Sequence, residues 1–491
     1  MCGFVGGNTI QNTDELKFCL EKIVHRGRDF TGIYQDNLLL LGHNRLSIQD
    51  LSNLSNQPFI SNSDNTVLVY SGELWEGYKE LKSKMCPEYN FKSDSDTEFI
   101  VALFEKYGTD SFKMLDGMFS FVIYDIRALK LYLVRDWIGK VPFYYFQNKT
   151  GDIIFSNEIK AFSHLKEVKE FSYLVNSVRP SHFLCYDLRT KKIEVTRYYS
   201  FAYSKEYGGE FDLTDSPEVI AKNIRQKLEI SVKKRLISDA PLCVLLSGGI
   251  DSIITTYLAK KFIPDIEAFT VSIGDTGKKD DLYYARIAAE EFGIKLNEVI
   301  LNPDQILETL DETIYAIEDS DWRQISTAIV QIPLAREIGR RGFKVAIGGE
   351  GSDEIFASYA HIEAFHYKPE AFHKQRKKLI DNIHLTNLRR TNCAMFWGGT
   401  VEMRSPFLDK NFVEYSINIP AHYAWRFGNS GSRTTKPLLR EAFKGEISDE
   451  LLNRKKVPTG EGAHSQDIIK KIHLEDKNYF KNKLNILLNT I

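Results

Sequence analysis

The sequence predicts two domains in tandem: a β-rich domain over residues 1–210, then an α/β domain built on a parallel sheet over residues 211–491. Three observations predict it. A chain of 491 residues exceeds what one hydrophobic core serves. Up to about residue 200 it alternates short β-branched and aromatic runs with turn residues, and beyond that apolar runs alternate with helical patterns.

In the first part "VLVYSGE", "SFVIYD", "LYLVRD" and "DIIFSNE" read as strands. Residues 200–218 lose periodicity and gather Gly, Ser, Asp and Pro, which marks a linker with its boundary near residue 210. Beyond it "EVIAKNIRQKLEISVKKRLI", "IITTYLAKKF" and "YYARIAAEEFG" read as helices, and "LCVLL", "AFTVSI" and "KVAIGG" as buried strands. Apolar strands separated by helices predict a parallel sheet covered on both faces. The last third, from about Asp353, reads mainly helical.

Composition narrows the function. Lys plus Arg number 64 and Asp plus Glu 66, so no overall field favours nucleic acid or an anionic membrane, and neither is expected as a partner. The basic run "KQRKK", residues 374–378, reads as a solvated helix face. Six cysteines, at positions 2, 19, 86, 185, 243 and 393, have neither paired nor zinc-binding spacing, which suits a reducing compartment. The start "MCGFVGG" lacks signal-peptide character, and no apolar run reaches the ~20 residues of a membrane span, so a cytoplasmic location is expected.

Cys2 follows the initiator Met. Removal of Met1 would place a thiol and a free α-amine on one residue, and an amine titrating at about 7.7–8.0 can take the thiol proton and later protonate a leaving amine. A cysteine at position 2 means little by itself. Here it is followed in order by "HRGRD", "HNRLSIQD", "QP", "SGELW", "SDTE", "LDGMFSFVIYD", "RDWIGKVPFYY" and "SNEIKAF".

In that order the motifs resemble the N-terminal-nucleophile glutaminase domain of asparagine synthetase-type amidotransferases. The resemblance implies an α+β glutaminase domain of stacked antiparallel sheets, followed by a synthetase domain similar to the adenine-nucleotide α-hydrolases. It also implies that Cys2 attacks the glutamine amide, that Arg45 grips the substrate α-carboxylate, and that Glu73 and Asp96 hold the α-amine and its surroundings. The family's "NGE" appears as Ser71-Gly72-Glu73. Gly72 retains its backbone N–H for an oxyanion hole. Ser71 replaces an amide donor with a shorter, rotatable hydroxyl, and loss of one oxyanion donor costs about 10²–10³ in rate. Arg28 stands where the family has Pro.

"PLCVLLSGGIDSIITTYLAKK" reads as strand, Ser/Gly-rich turn and helix, a natural phosphate cradle of outward N–H groups, with Gly248 and Gly249 for close approach and the hydroxyls of Ser247 and Ser252 as donors. No "GK[ST]" follows, so it is not a Walker loop. It resembles the "SGGxDS" loop of enzymes that cut ATP between the α and β phosphates, with Leu246 and Gly349 joining the ATP site. "VAIGGEGSDEIF" places Glu350 and Asp353 after a second apolar run, and loops at the carboxyl ends of adjacent parallel strands meet at one crevice. Asp251 and Asp353 could then share Mg²⁺. The resemblance makes Glu350 a contact to the acyl-adenylate or a base, and Lys456 a stabiliser of developing charge.

Two segments depart from the family. Its "TTIRAS"-like stretch appears as "RQISTA", with Ser326 for the expected Arg and Arg323 as a displaced cation, and "KVPTGEGAH" replaces a "KEQFSDG"-like run and resembles β-lactam synthetase relatives. The expected function is a ligase: glutamine supplies ammonia, ATP activates a carboxylate, aspartate by family default, and AMP and pyrophosphate leave. Alternatives are amidation of another carboxylate, intramolecular amide formation as in β-lactam synthetases, and a non-catalytic sensor of glutamine or nucleotide. A homodimer is expected from the resemblance alone.

Overall fold

The computed structural model describes residues 2–75, 77–85, 89–165, 175–203, 213–275, 277, 279–365, 368–427, 433–454 and 465–490. The expected domain boundary near residue 210 lies outside them.

The first part contains strands β1 (Gly3–Gly7), β2 (Phe30–Gln35), β3 (Leu40–Arg45), β4 (Phe59–Ile60), β5 (Thr66–Leu74), β6 (Gly117–Asp125), β7 (Lys130–Arg135), β8 (Tyr144–Gln147), β9 (Ile153–Ser156), β10 (Asn176–Ser177), β11 (His182–Asp187) and β12 (Ile193–Arg197). Helices α1 (Thr13–Lys22) and α2 (Asp96–Tyr107) interrupt them. The strands form two antiparallel sheets, β10-β8-β9-β1-β3-β2 and β12-β11-β7-β6-β5-β4. Alternation along each strand explains the stacking, because successive side chains leave opposite faces. Val67, Val69, Val122 and Leu133 meet Phe4, Leu41 and Phe155 between the sheets. Leu68, Tyr70 and Ile123 face outward against Phe99, Ile100 and Leu103 of α2. Val5 and Ile154 likewise pack on Leu16 and Leu20 of α1. Strands buried on both faces read as continuous apolar runs, and full burial of each such side chain contributes about 1.5–3 kcal/mol.

The second part begins with helix α3 (Pro217–Arg235), capped by Ser216 and opened by Pro217. A parallel sheet follows, made of β13 (Leu242–Leu245), β14 (Ala268–Ile273), β15 (Leu296–Leu301), β16 (Val345–Ile347) and β17 (Glu402–Arg404) in the order β15-β14-β13-β16-β17. Helices α4 (Ile250–Phe262) and α5 (Asp281–Phe292) cover one face through Ile253, Ile254 and Ala285. Helices α6 (Trp322–Arg340) and α7 (Asn387–Gly399) cover the other through Leu334, Ile338 and Met395. Strand order turns back between β13 and β16, and ligands bind in the crevice at such a switch point. The basic run at 374–378 is not wholly solvated: Arg376 is buried and donates to the carbonyls of Ile417 and Ile419 at 2.6 and 2.8 Å, so its guanidinium ties two loop carbonyls. Among the described residues no helix is long and apolar enough to cross a membrane.

The two parts share a core. Leu46, Ile48, Trp75, Met118 and Val141 of the first pack with Val345 and Phe396 of the second. Beside it lies a buried charge cluster, in which Glu158 accepts from His25 at 2.9 Å, from Arg26 at 2.8 Å and from Lys160. Lys160 also lies 3.3 Å from Glu318, and Arg26 reaches Asn392 of α7 at 3.0 Å. Burial would raise the Glu158 carboxyl, but His25, Lys160 and Arg26 hold it well below the usual range. Burial of the same kind lowers His25, against the pull of Glu158. Removing one partner from such a cluster strands the others without water, at about 3–5 kcal/mol. Glu158→Ala is therefore expected to lower the melting temperature by roughly 10 °C, read by calorimetry or intrinsic fluorescence.

Candidate functional site

Pairing of β1 with β3, Gly3 opposite Asn44, sets Cys2 beside the end of β3. The Cys2 thiol is buried, with the N–H of Leu46 donating to Sγ at 3.4 Å. Burial pushes the thiol up to about 11, so at neutral pH it is uncharged and needs a base before it can attack. Its carbonyl accepts from Arg26 Nε at 3.1 Å and from Ser71 Oγ at 2.6 Å. The Ser71 hydroxyl has one proton, and here it points to Cys2's own carbonyl. Gly72 faces Phe119 across β5 and β6, and a Cβ on it would sit 2.2 Å from the Met118 carbonyl oxygen, so no larger residue fits.

Arg45, at the end of β3, is fastened to the 50–56 loop: Nη1 donates to the Ser52 carbonyl and to Asn56 Oδ1, each at 2.7 Å, and Nη2 to the Asp50 carbonyl. Asp96 opens α2 and accepts from the Leu74 N–H at 2.9 Å and the Tyr70 hydroxyl at 2.8 Å. Glu73 accepts from Gln49. Burial raises both carboxyls, with Glu402 adding to each; in Glu73 the rise is large despite Arg404 nearby. Arg45 and Glu73 thus lie near enough to act on the Cys2 thiol and Asp96 near enough to act on Glu73, all four are buried, and Glu402 and Arg404 of the second part stand beside Glu73.

At the switch point the 247–252 loop leaves β13 and enters α4. Gly248 is left-handed, φ +77°, and a Cβ there would meet the Asp281 carbonyl oxygen at 2.3 Å. Ser247 and Ser252 lie 3.1 Å apart through their hydroxyls, and Ser252 donates to the Gly249 carbonyl at 2.9 Å. Leu246 is fully buried and anchors the loop by donating to the Phe269 carbonyl at 2.9 Å. Gly349 brings the second loop in, since a Cβ there would lie 2.8 Å from that of Asp251. Asp251 and Asp353 converge on one cation: Lys436 Nζ is 2.6 Å from each. Burial would lower that ammonium, yet the two aspartates hold it above its ordinary range. Lys436 is also left-handed, φ +55°, a conformation costing a non-glycine residue roughly 1–2 kcal/mol and kept here by the ion pairs.

The loops enclose a cavity of about 210 Å³ that Glu350 also lines. Glu350 Oε2 is buried without a hydrogen-bond partner, and burial raises its carboxyl. Arg390 of α7 lines the same cavity, held by Gln324 at 3.0 Å and Asn387 at 2.8 Å. In sequence "KPLLR" and "RKK" match runs of the same family, but neither match gives Lys436 or Arg454, the latter paired with Asp281, a role, and nothing there singles out Arg390. Lys456 lies outside the described residues. Arg323 is turned outward onto Asp321 at 3.0 Å, and Ser326 donates to the Arg323 carbonyl at 2.9 Å, so neither brings a cation to the cavity.

A buried cysteine beside a double antiparallel sheet, and a Ser/Gly loop at the switch point of a parallel sheet, are the pair of sites expected of a glutamine amidotransferase joined to a ligase. Residues 1–197 match the family of glutamine amidotransferase domains, and residues 223–382 and 368–477 match the asparagine synthase family. The chain is 31% identical over 476 residues to a probable glutamine-hydrolysing asparagine synthetase of Dictyostelium discoideum, covering 90% of this chain and 80% of that one. Asparagine synthetase B of Escherichia coli K12 is 31% identical over 460 residues, covering 89% and 77%. A probable asparagine synthetase of Acanthamoeba polyphaga mimivirus is 31% identical over 490 residues, covering 95% and 86%. The chain belongs to the glutamine-hydrolysing asparagine synthetase family and is a glutamine-dependent carbon–nitrogen ligase.

Two substitutions test the geometry. With the Ser71 hydroxyl on the Cys2 carbonyl, Ser71→Ala is expected to slow glutamate release by less than about 10-fold, against the ~10²–10³ that loss of an oxyanion donor costs. Lys436→Met leaves Asp251 and Asp353 facing each other without a cation. It is expected to lower ATP-dependent pyrophosphate release at least ~10²-fold while glutamate release persists.

Proposed function

We propose that the chain converts aspartate to asparagine, with residues 1–210 releasing ammonia from glutamine and residues 211–491 activating aspartate with ATP. After removal of Met1, the Cys2 amine takes the thiol proton and sulfur attacks the glutamine amide; ammonia leaves, and water frees glutamate. Arg45 has five N–H donors, three of them engaged by the loop, and the remaining two suit the substrate α-carboxylate. Glu73 and Asp96 receive its α-ammonium, whose charge favours their ionised forms.

The convergence of Asp251, Asp353, Lys436 and Glu350 on one cavity carries this reading. Backbone and hydroxyl donors of Ser247, Gly248, Gly249 and Ser252, with Leu246 and Gly349 at the rim, cradle ATP. Asp251 and Asp353 already share one positive charge, so they fit Mg²⁺, which would neutralise the phosphates when bound. The aspartate side-chain carboxylate attacks the α-phosphorus and displaces pyrophosphate; ammonia then attacks the acyl carbon and displaces AMP. Glu350, uncharged more readily than an ordinary carboxyl and with a free Oε2, takes the proton from the attacking ammonia. Lys456 is assigned to the charge developing on phosphate, and Arg390 to the second carboxylate of aspartate.

A second reading follows from Ser326. With the family arginine absent and Arg323 turned away, the acceptor could be a carboxylate lacking a second anionic group. Pyrophosphate release over a panel of carboxylates, with ATP, Mg²⁺ and glutamine, separates the two. Aspartate is expected to give asparagine, glutamate, AMP and pyrophosphate in equal amounts. Release with another acid but not aspartate would overturn the aspartate assignment, and amide formed without glutamine or ammonium would point to intramolecular closure.

A further inference from the structure

A three-residue strand joins the two sites. β17 runs parallel to β16, with Val345 opposite Glu402 and Ile347 opposite Arg404. The N–H of Gly348, which starts the loop leading to Glu350, donates to the Arg404 carbonyl at 3.0 Å. Met403 lies towards that loop, its methyl 2.1 Å from where a Gly348 Cβ would be. Arg404 reaches the first domain. Its guanidinium is fully buried: Nε donates to Glu402 at 2.7 Å, and Nη1 to the carbonyls of Arg235 at 2.8 Å and Ile237 at 2.5 Å. Nη2 makes no hydrogen bond and lies 4.0 Å from Glu73 Oε1. The buried Trp75 ring sits 5.7 Å from the same guanidinium.

A buried donor without an acceptor costs about 1–3 kcal/mol, so this nitrogen is held beside Glu73 against a penalty that a short inward movement of either group would remove. We propose that Arg404 is a positioning residue of the glutamine pocket, supplied by the ligase domain, which closes on Glu73 when glutamine binds and passes that movement to the Gly348–Glu350 loop. The inference rests on reading the Cys2 pocket as a glutaminase. Glu73 has reason to move: burial, Glu402 and Asp96 disfavour its charged form, and an arriving ammonium restores it. The path from there is short. Arg404's side chain faces the glutamine pocket, and its carbonyl holds the first N–H of the loop that carries Glu350.

Arg404→Lys keeps the charge but loses the fork that reaches Glu402, two carbonyls and Glu73 at once. It is expected to raise the KM for glutamine about 10-fold, as loss of one charge-assisted hydrogen bond does, and to raise glutamate released per pyrophosphate above one. Pyrophosphate release driven by ammonium instead of glutamine should be unchanged. Glu402→Gln, nearly isosteric and milder for folding, should shift glutamine KM and the ratio in the same direction. Unchanged glutamine KM and ratio in both variants, or equal loss of glutamine-driven and ammonium-driven release, would overturn the proposal. Absence of glutamate release from the unaltered protein would overturn the glutaminase reading along with it.

Discussion

Glu158 is the charge about which the two domains are set. Arg26 and Lys160 beside it answer its charge and that of Glu318 across the interface, so the two buried carboxylates are matched by two buried cations. Balance matters because an isolated ion in a low-dielectric interior costs several kcal/mol. The same guanidinium that answers Glu158 holds the Cys2 carbonyl and reaches Asn392. Placement of Cys2 and docking of α7 are therefore one arrangement. Two residues before Asn392 on that helix, Arg390 lines the nucleotide-side cavity.

The ligase domain follows a different logic. Its sheet carries no charge within the strands β13 and β14, and the loops that follow β13 and β16 bring Asp251, Glu350 and Asp353 to one cavity. Glycines at 248 and 349 let two loops approach within the reach of one side chain, and Lys436 fills the gap between their aspartates. A lysine in a left-handed conformation just before a proline is an unfavourable local choice, tolerated because two carboxylates fix its far end.

Much of this was legible in the sequence. The runs "VLVYSGE", "SFVIYD", "LCVLL" and "AFTVSI" are strands because continuous apolar stretches bounded by turn residues can hardly be anything else. The loop 247–252 was legible for the same reason, as punctuation between a strand and a helix. β15, "LNEVIL", and the short β17 were not read, since alternating polar residues and a three-residue length leave too little signal. Ser71 reads in sequence as a rotatable hydroxyl in place of an amide donor; the structure has it on the Cys2 carbonyl, a choice of rotamer that no sequence records. Arg376 looked like one of five solvated residues because a charge run does not say which member falls on the inner face of its helix. The runs holding Lys436 and Arg404 could be noticed in sequence, but their partners, 185 and more than 300 positions away, could not.

β17 also bears on how separable the two halves are. It is the outermost strand of a parallel sheet, its three side chains are buried, and Arg404 among them lies against Glu73 and Trp75 of the other domain. A fragment consisting of the ligase half would present that strand's unpaired backbone to water together with an uncovered arginine–glutamate pair, the kind of edge that recruits neighbouring chains into aggregates. The glutaminase half thus doubles as a cap on the ligase sheet.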